Sequence, residues 1–506
     1  MTKTSWASEL FSSVRPPKSE RDWMAIESVY ANVCPPDQRK KLGQFMTPPV
    51  VASLMAEWVL GCEPETVLDP AVGLGIFPWT VKRQSPNVDI TAFDIDPGMV
   101  AASMRLVPGL RTLQADFLNF SPNKSYDAII CNPPYIRHHS ARVPEEVYSR
   151  YSDVIGERLS RLTNIYALFL IEITLQLKQG GRAAVITPAE YLNADFGVAV
   201  KRYLVERGFL SGLIIFDHAA SVFGDAITTA SIALIESPAH SAGRDIKVFR
   251  VDSLDVIARV QSELAGNART PGQDSSAHVI SRSDLDPRAK WQWLGRIEPS
   301  GEGPPLGDYV RCCRGIATGA NHFFTLNRSE AKHFGLPPEC LIPCVTKSSH
   351  VPGTSFDDAD LTRLITENRK VFLVDTASNH PAVEDYLEWG EEQGIHKRYL
   401  PSHRSPWYAL EKRERAPIWV NVFGRKGFRF IRNRTRALNL TTFHCIYPDR
   451  LPPELSIDDL ADYLAGPDCL SAIQEQTRFY GGGLEKLEPR DVLRIRISPD
   501  RITKRR

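Results

Sequence analysis

The sequence predicts an α/β fold: an open, mainly parallel sheet with helices on both faces, followed by a mixed α/β C-terminal domain. Three observations predict it. Short apolar runs alternate with helical patterns from about residue 66 to residue 236, and helical crossovers between strands make a parallel sheet. The apolar runs end in residues that carry chemistry, as in "YDAIICNPPY", and open α/β sheets bind ligands beyond the carboxyl ends of their strands. At 506 residues, with 42% hydrophobic and 24% charged residues, the chain is long enough for two or three domains with large cores.

In chain order, residues 1–40 read as a polar arm with a helical stretch around Trp23 to Val33. "PPVVASLMAEWVL", 48–60, has apolar residues at helical spacing and prolines at its start, where helices tolerate them. "TVLDPAV" is a strand that ends in a glycine loop. "DITAFDID" is a strand and "PGMVAASMRLV" a helix. "YDAIICNPPY" is a strand with its exit. "NIYALFLIEITLQLK" reads as a long amphipathic helix closed by Gly180-Gly181. "RAAVITP" is a strand, "FGVAVKRYLVERG" a helix, and "LSGLIIFD" and "TTASIALIES" are strands. These last two pair antiparallel in this reading, because only "HAASVFGDAI" joins them. Near Pro238 the pattern breaks, and "AGNARTPGQDSSAHVISRSD" reads as linker or exposed loop. The expected division is an arm at 1–40, an α/β domain at 41–240, a connecting region at 241–300 and a mixed domain at 301–506.

Composition narrows the setting. No apolar run is long enough to span a bilayer, and the N-terminus lacks the apolar core of a secretory signal. Nine cysteines are scattered without a CxxC pair, so neither a disulfide framework nor a zinc site is expected, and a reducing cytoplasm fits best. Net charge is +1, yet residues 396–436 hold twelve Lys and Arg against two Glu. Such local asymmetry suits a polyanion-binding surface, although a solvated basic face has the same composition.

Four segments near strand ends carry coordinated signals. In "VLDPAVGLGIF", Gly73 and Gly75 let backbone approach a ligand closely, and Asp69 sits at the strand end. No Gly-Lys-Ser/Thr follows, and Pro78 stands where a third glycine would complete GxGxxG, so neither phosphate-binding loop is matched. Some 20 residues on, "AFDIDP" places Asp94 where ribose hydroxyls bind, with Ile95 to pack on an adenine ring; Asp96 suits a helix cap. In "ADFLNF", Asp116 and Phe117 can hold an adenine by one hydrogen bond and one face. In "CNPPY", Pro133 and Pro134 lack N–H donors and stop the strand, while Asn132 is biased to extended geometry by the proline after it. The result is a stiff platform with one amide, free carbonyls and the Tyr135 ring. Together the segments describe a nucleoside cofactor beside a planar nitrogen group.

"GQFMTPPVVASLM", "DPAVGLGIF", "FDIDP", "ADFL" and "CNPPY", in this order, resemble the adenine-specific DNA methyltransferases of restriction–modification or phage-defence systems, in the gamma motif order. The resemblance covers about residues 41–236 closely and the C-terminal half loosely. One departure stands out: Val72 and Leu74 replace small polar residues in the glycine loop. The resemblance implies a Rossmann-like catalytic domain at 41–240, a DNA target-recognition domain at 301–506, and S-adenosylmethionine held by Asp69, Pro70, Ala71, Gly73, Gly75, Asp94, Ile95, Asp116 and Phe117. Phe45, Thr47 and Pro48 would close over its methionine end, with helix capping a rival role for Thr47. The catalytic segment would be Asn132, Pro133, Pro134 and Tyr135, with Tyr135 and Phe196 stacking on a flipped adenine. Arg404, Trp407, Tyr408, Arg425, Lys426 and Arg429 are the expected contacts to double-stranded DNA. No metal or membrane is implied, and any cleavage would fall to a separate endonuclease. Two alternatives stay open: a methyltransferase acting on RNA or protein glutamine, and a non-catalytic DNA-binding specificity subunit.

Overall fold

The computed structural model describes residues 14–34, 39, 43–119, 125–136, 143–217, 230–238, 245–265, 277–295, 303–424, 427–474, 478–480, 484–497 and 502. The chain forms two compact units, Met1–Ile297 and Glu298–Arg506.

The first unit is built on nine strands: β1 (Thr66–Asp69), β2 (Asp89–Asp94), β3 (Arg111–Gln114), β4 (Tyr126–Cys131), β5 (Leu177–Pro188), β6 (Leu210–Phe216), β7 (Ala230–Glu236), β8 (Ile246–Val251) and β9 (Ala277–Ile280). Their order is β3-β2-β1-β4-β5-β7-β6-β8-β9. Strands β1 to β5 are mutually parallel, and β7 runs antiparallel to both β5 and β6. The order reverses between β1 and β4, which creates a crevice at their carboxyl ends. The helices are α1 (Glu20–Val33), α2 (Pro49–Leu60), α3 (Ile76–Gln84), α4 (Pro97–Leu106), α5 (Glu145–Ile155), α6 (Ile165–Gln176), α7 (Gly197–Glu206) and α8 (Leu254–Leu264).

Successive strand residues point to opposite sheet faces. Val67, Ala128 and Ile130 therefore join one core with α2, while Leu68, Ile129 and Cys131 join another with α6. Strands buried on both faces need continuous apolar runs, which is what the sequence shows there.

Three expectations are corrected. First, α6 is not amphipathic: all of it but Ile165 and Leu175 is buried, and its buried Glu172 accepts from the Tyr151 hydroxyl at 2.9 Å and Gln176 Nε2 at 2.7 Å. Second, Gly180 and Gly181 do not close that helix. They lie inside β5, beside a register shift against β4. A Cβ on Gly181 would come within 2.7 Å of the Asp127 carbonyl, so the glycine permits a close backbone approach. Third, residues 241–300 are not only a connection. They supply β8, α8 and β9, with β8 parallel to β6 and β9 antiparallel to β8. Turn-forming residues around Pro238 masked a return to the same sheet.

The second unit is mixed α/β. Its five-stranded sheet runs Arg311–Arg314, Phe443–Tyr447, Ile418–Asn421, Phe430–Asn433, Ser355–Phe356, and sheets of four and three strands accompany it. No helix among the described residues is long and apolar enough to cross a membrane.

Candidate active site

The strand ends around the reversal open on a cavity of about 410 Å³. Its walls come from the loops after β1, β2, β3 and β4, from the segment before α2, from α1, and from the starts of α5 and α6. Phe45, Thr47, Pro70, Ala71, Gly73, Asp94, Ile95, Asp116, Phe117, Asn132 and Pro134 all line it. Pro48, Asp69, Gly75, Pro133, Tyr135 and Phe196 do not.

After β1 the chain turns through Gly73 at φ 52° and Gly75 at φ 97°, backbone conformations that suit glycine. A Cβ on Gly73 would project into open space, so its absence leaves the loop bare toward a ligand. Asp94 straps this loop to β2: Gly73 N–H donates to Oδ2 at 2.9 Å and Asp96 N–H to Oδ1 at 2.9 Å. Burial pushes Asp94 up to about 6, against the pull of those two donors. Asp96 caps α4 by accepting from Gly98 N–H at 2.8 Å. Asp69 is fully buried behind the loop and accepts from Ala71 N–H at 3.2 Å. Its Oδ2 is buried without a partner among the described residues, and burial drives its pKa well above the usual carboxylate range. It supports the loop from below. Val72 and Leu74 are buried in the core with Ile76 and Val107, which accounts for apolar residues in a loop that usually carries small polar ones.

After β3, Asp116 accepts from Leu118 N–H and Asn119 Nδ2. Phe117 is buried against Phe169, with ring centroids 5.1 Å apart. Ile95 is 67% exposed, an apolar side chain uncovered at the cavity wall.

The end of β4 is the most constrained part. Asn132 Nδ2 donates to the Phe45 carbonyl at 2.8 Å and to Thr47 Oγ1 at 2.9 Å. A carbonyl only accepts, so the nitrogen end of the amide must face Phe45. Asn132 Oδ1 is left buried with no partner among the described residues. Pro48 occupies the N-cap of α2, and no side chain caps that helix; Thr47 serves the amide instead. Tyr135 N–H donates to the Gly43 carbonyl at 2.9 Å. The Tyr135 ring stacks on Phe45 at 4.8 Å and meets the edge of Tyr166 at 6.3 Å. Tyr166 in turn meets half-buried Phe196 at 6.4 Å, so Tyr166 stands between the two rings expected to flank a base.

Sequence reading missed Gly43, Trp23 and Glu27. Gly43 stands in "GQFMTPP" but drew no role. Trp23, Ile26 and Tyr30 mark one buried face of α1, a helical spacing that was legible without showing what the face covers.

In the second unit, Arg404 donates from Nη1 to the Thr318 carbonyl at 3.1 Å and from Nη2 to the Ala317 carbonyl. Arg429 donates to the carbonyls of Val351, at 2.7 Å, and Pro352. Trp407 donates to Glu391 at 2.7 Å and packs on Phe323 and Phe324. Half-buried Tyr408 packs in that same core, and its carbonyl accepts from Thr376 Oγ1. All four are engaged within the unit. Arg425 and Lys426 lie outside the described residues. Lys397, Arg398 and His403 are exposed beside Tyr399, itself 76% exposed. No group of three or more His, Cys, Asp and Glu among the described residues could hold a metal ion.

A reversing parallel sheet, a glycine loop strapped by a strand-end aspartate and an Asn-Pro-Pro-Tyr exit define a Rossmann-like methyltransferase whose cofactor is S-adenosylmethionine. Residues 51–151 match the methyltransferase small domain, residues 106–223 the Eco57I restriction-modification methylase and residues 285–506 the C-terminal domain of type II methyltransferase M.Eco57I. The type II methyltransferase M.AccI of Acinetobacter calcoaceticus is 34% identical over 92% of this chain and 87% of its own. The chain belongs to this family of type II restriction–modification methyltransferases. Its fold is like that of the type IIL restriction-modification enzyme MmeI in complex with DNA, with TM-score 0.54 and 12% identity over 94% of this chain and 69% of that one. Against the type IIG restriction endonuclease BpuSI (TM-score 0.47, 15% identity), the match covers 94% of this chain and 61% of the other.

Proposed function

We propose that this chain transfers a methyl group from S-adenosylmethionine to N6 of an adenine flipped out of double-stranded DNA. The observation that carries the reading is Asn132 Oδ1, a buried acceptor without a partner among the described residues, on an amide whose nitrogen is already committed. A buried acceptor left unmade costs stability, and an amino group offered from the cavity would satisfy it.

The cavity residues suit the cofactor. The bare glycine loop and Asp94 would hold the ribose, Ile95 and Asp116 with Phe117 the adenine, and Phe45 the methionine end. Bound S-adenosylmethionine supplies an electrophilic methyl group on a positively charged sulfur. Asn132 Oδ1 and the Pro133 carbonyl accept the two N–H bonds of the target amine. Adenine N6 is conjugated with its ring and a poor nucleophile; two oriented acceptors draw it toward tetrahedral geometry and expose its lone pair. As the N–C bond forms and the S–C bond breaks, positive charge gathers on the nitrogen, and both acceptors stabilise it. The spare proton then leaves to solvent. The base must leave the helix to reach these atoms, and Tyr135 offers a stacking surface worth roughly 1–3 kcal/mol. Arg425 and Lys426 with exposed Lys397 and Arg398 would contact phosphates, which position rather than specify. A separate endonuclease would supply any cleavage.

Asn132→Ala should lower the methyl-transfer rate by at least 10²–10³, the ~3–4 kcal/mol of one lost oriented group, while cofactor affinity persists. Rapid-quench assays with a DNA duplex and digestion to nucleosides read both rate and product. Wild-type rates from the variant, or methylation on a base other than adenine, would refute the reading.

A further inference from the structure

The cofactor cavity has a wall contributed by α1, upstream of every segment that resembles a methyltransferase motif. Trp23 and Glu27, one helical turn apart, both face it. Trp23 is fully buried and packs on Trp79, with ring centroids 5.2 Å apart. Its Nε1–H donates to Glu27 Oε1 at 2.8 Å, so a fixed indole holds the carboxylate.

Charge sharpens the picture. The charged side chains among the described lining residues are Glu27, Asp94, Asp96 and Asp116, with no Lys, Arg or His. The three aspartates already accept backbone N–H groups of the surrounding loops. Glu27 accepts from Trp23, and no cation pairs with it among the described residues. Burial raises its pKa to about 7, the response of a carboxylate short of a positive partner. Glu27 is half-buried, and an unpaired carboxylate partly withdrawn from water carries a cost that a ligand cation would relieve.

Resting on the S-adenosylmethionine reading of this cavity, we propose that Glu27 receives the α-ammonium of the cofactor's methionine portion, with Trp23 aiming the carboxylate. The segment before the recognisable catalytic motifs then completes the cofactor site.

The test uses the full chain and two ligands: S-adenosylmethionine, and 5′-methylthioadenosine, which keeps the nucleoside and sulfur but lacks the amino acid. Calorimetry on Glu27→Gln should show at least a tenfold loss of S-adenosylmethionine affinity, with methylthioadenosine affinity within twofold of wild type. Trp23→Phe keeps an aromatic ring and removes the N–H; it should show the same selectivity with a smaller loss, about threefold. Equal loss of both ligands, or no loss of either, would overturn the assignment of Glu27. Wild-type protein that binds neither ligand would instead sink the cofactor reading beneath it.

Discussion

At the scale of single residues, the site turns on how one amide is oriented. An asparagine side chain can present either its oxygen or its nitrogen to a cavity, and only the oxygen can draw on an amino group. The Phe45 carbonyl and Thr47 hydroxyl take both N–H bonds of Asn132, which leaves the oxygen as the free end. Thr47 is a positioning residue in this arrangement and is itself buried. Thr47→Val keeps its shape but leaves an amide N–H unpaired, at a cost of about 1–3 kcal/mol. Held by the Phe45 carbonyl alone, the amide can tilt, and tilting misaims the acceptor. We expect single-turnover methylation at saturating cofactor to slow about tenfold or more, with a smaller change in cofactor affinity. A rate within twofold of wild type would show that the hydroxyl does not orient the amide.

At the scale of elements, the end of β4 is clamped by the segment that enters α2. Gly43 sits at φ 66°, and its carbonyl accepts from Tyr135 N–H. A Cβ at this position would lie 2.7 Å from both Tyr135 N and Ile136 Cγ1. The Tyr135 backbone cannot yield without moving the Asn132–Tyr135 tetrapeptide. Gly43→Ala should therefore leave secondary structure intact by circular dichroism and lower the transfer rate by around a hundredfold, the scale on which a 1 Å misplacement acts. The variant should also melt a few degrees lower, since a left-handed backbone costs roughly 1–2 kcal/mol for a residue with a Cβ. Wild-type turnover would mean that the clamp does not set the geometry of the tetrapeptide.

At the scale of the whole molecule, the proposed function divides the chemistry between the two units. The cavity at the strand ends and the Asn-Pro-Pro-Tyr exit belong to the first, and the basic run belongs to the second. Several arginines in that run are bound to carbonyls within their own unit, so charge count overstates the surface free for a polyanion. Exposed Lys397 and Arg398 are better placed to meet phosphate than Arg404 or Arg429. Replacing both with Gln should weaken duplex binding and flatten the dependence of log affinity on log salt by roughly 1–2 units, about one for each phosphate that is no longer neutralised. Fluorescence anisotropy over a salt series reads this, and cofactor affinity should stay unchanged. An unaltered slope would remove these two residues from the DNA surface.

What the sequence by itself determined was the strands β1, β2 and β4 and the later half of β5, the antiparallel pairing of β6 with β7, the glycine loop and the stiff strand exit at Asn132, while β3 went unmarked. Each of these signals is contiguous: a few residues fix φ, remove a donor or set a period, and no distant partner is needed. Only the tertiary structure decided the rest. The direction of the Asn132 amide depends on a carbonyl 87 residues away. The place of α1 on the cavity depends on Trp23 packing against Trp79. The engagement of Arg404 is invisible in the sequence because its two carbonyl partners lie 86 and 87 residues upstream. Likewise β8 and β9 returned to the sheet across a loop whose composition suggested an end. Local chemistry writes the elements into the chain, but a hydrogen-bonding group takes its role from whichever partner folding brings to it.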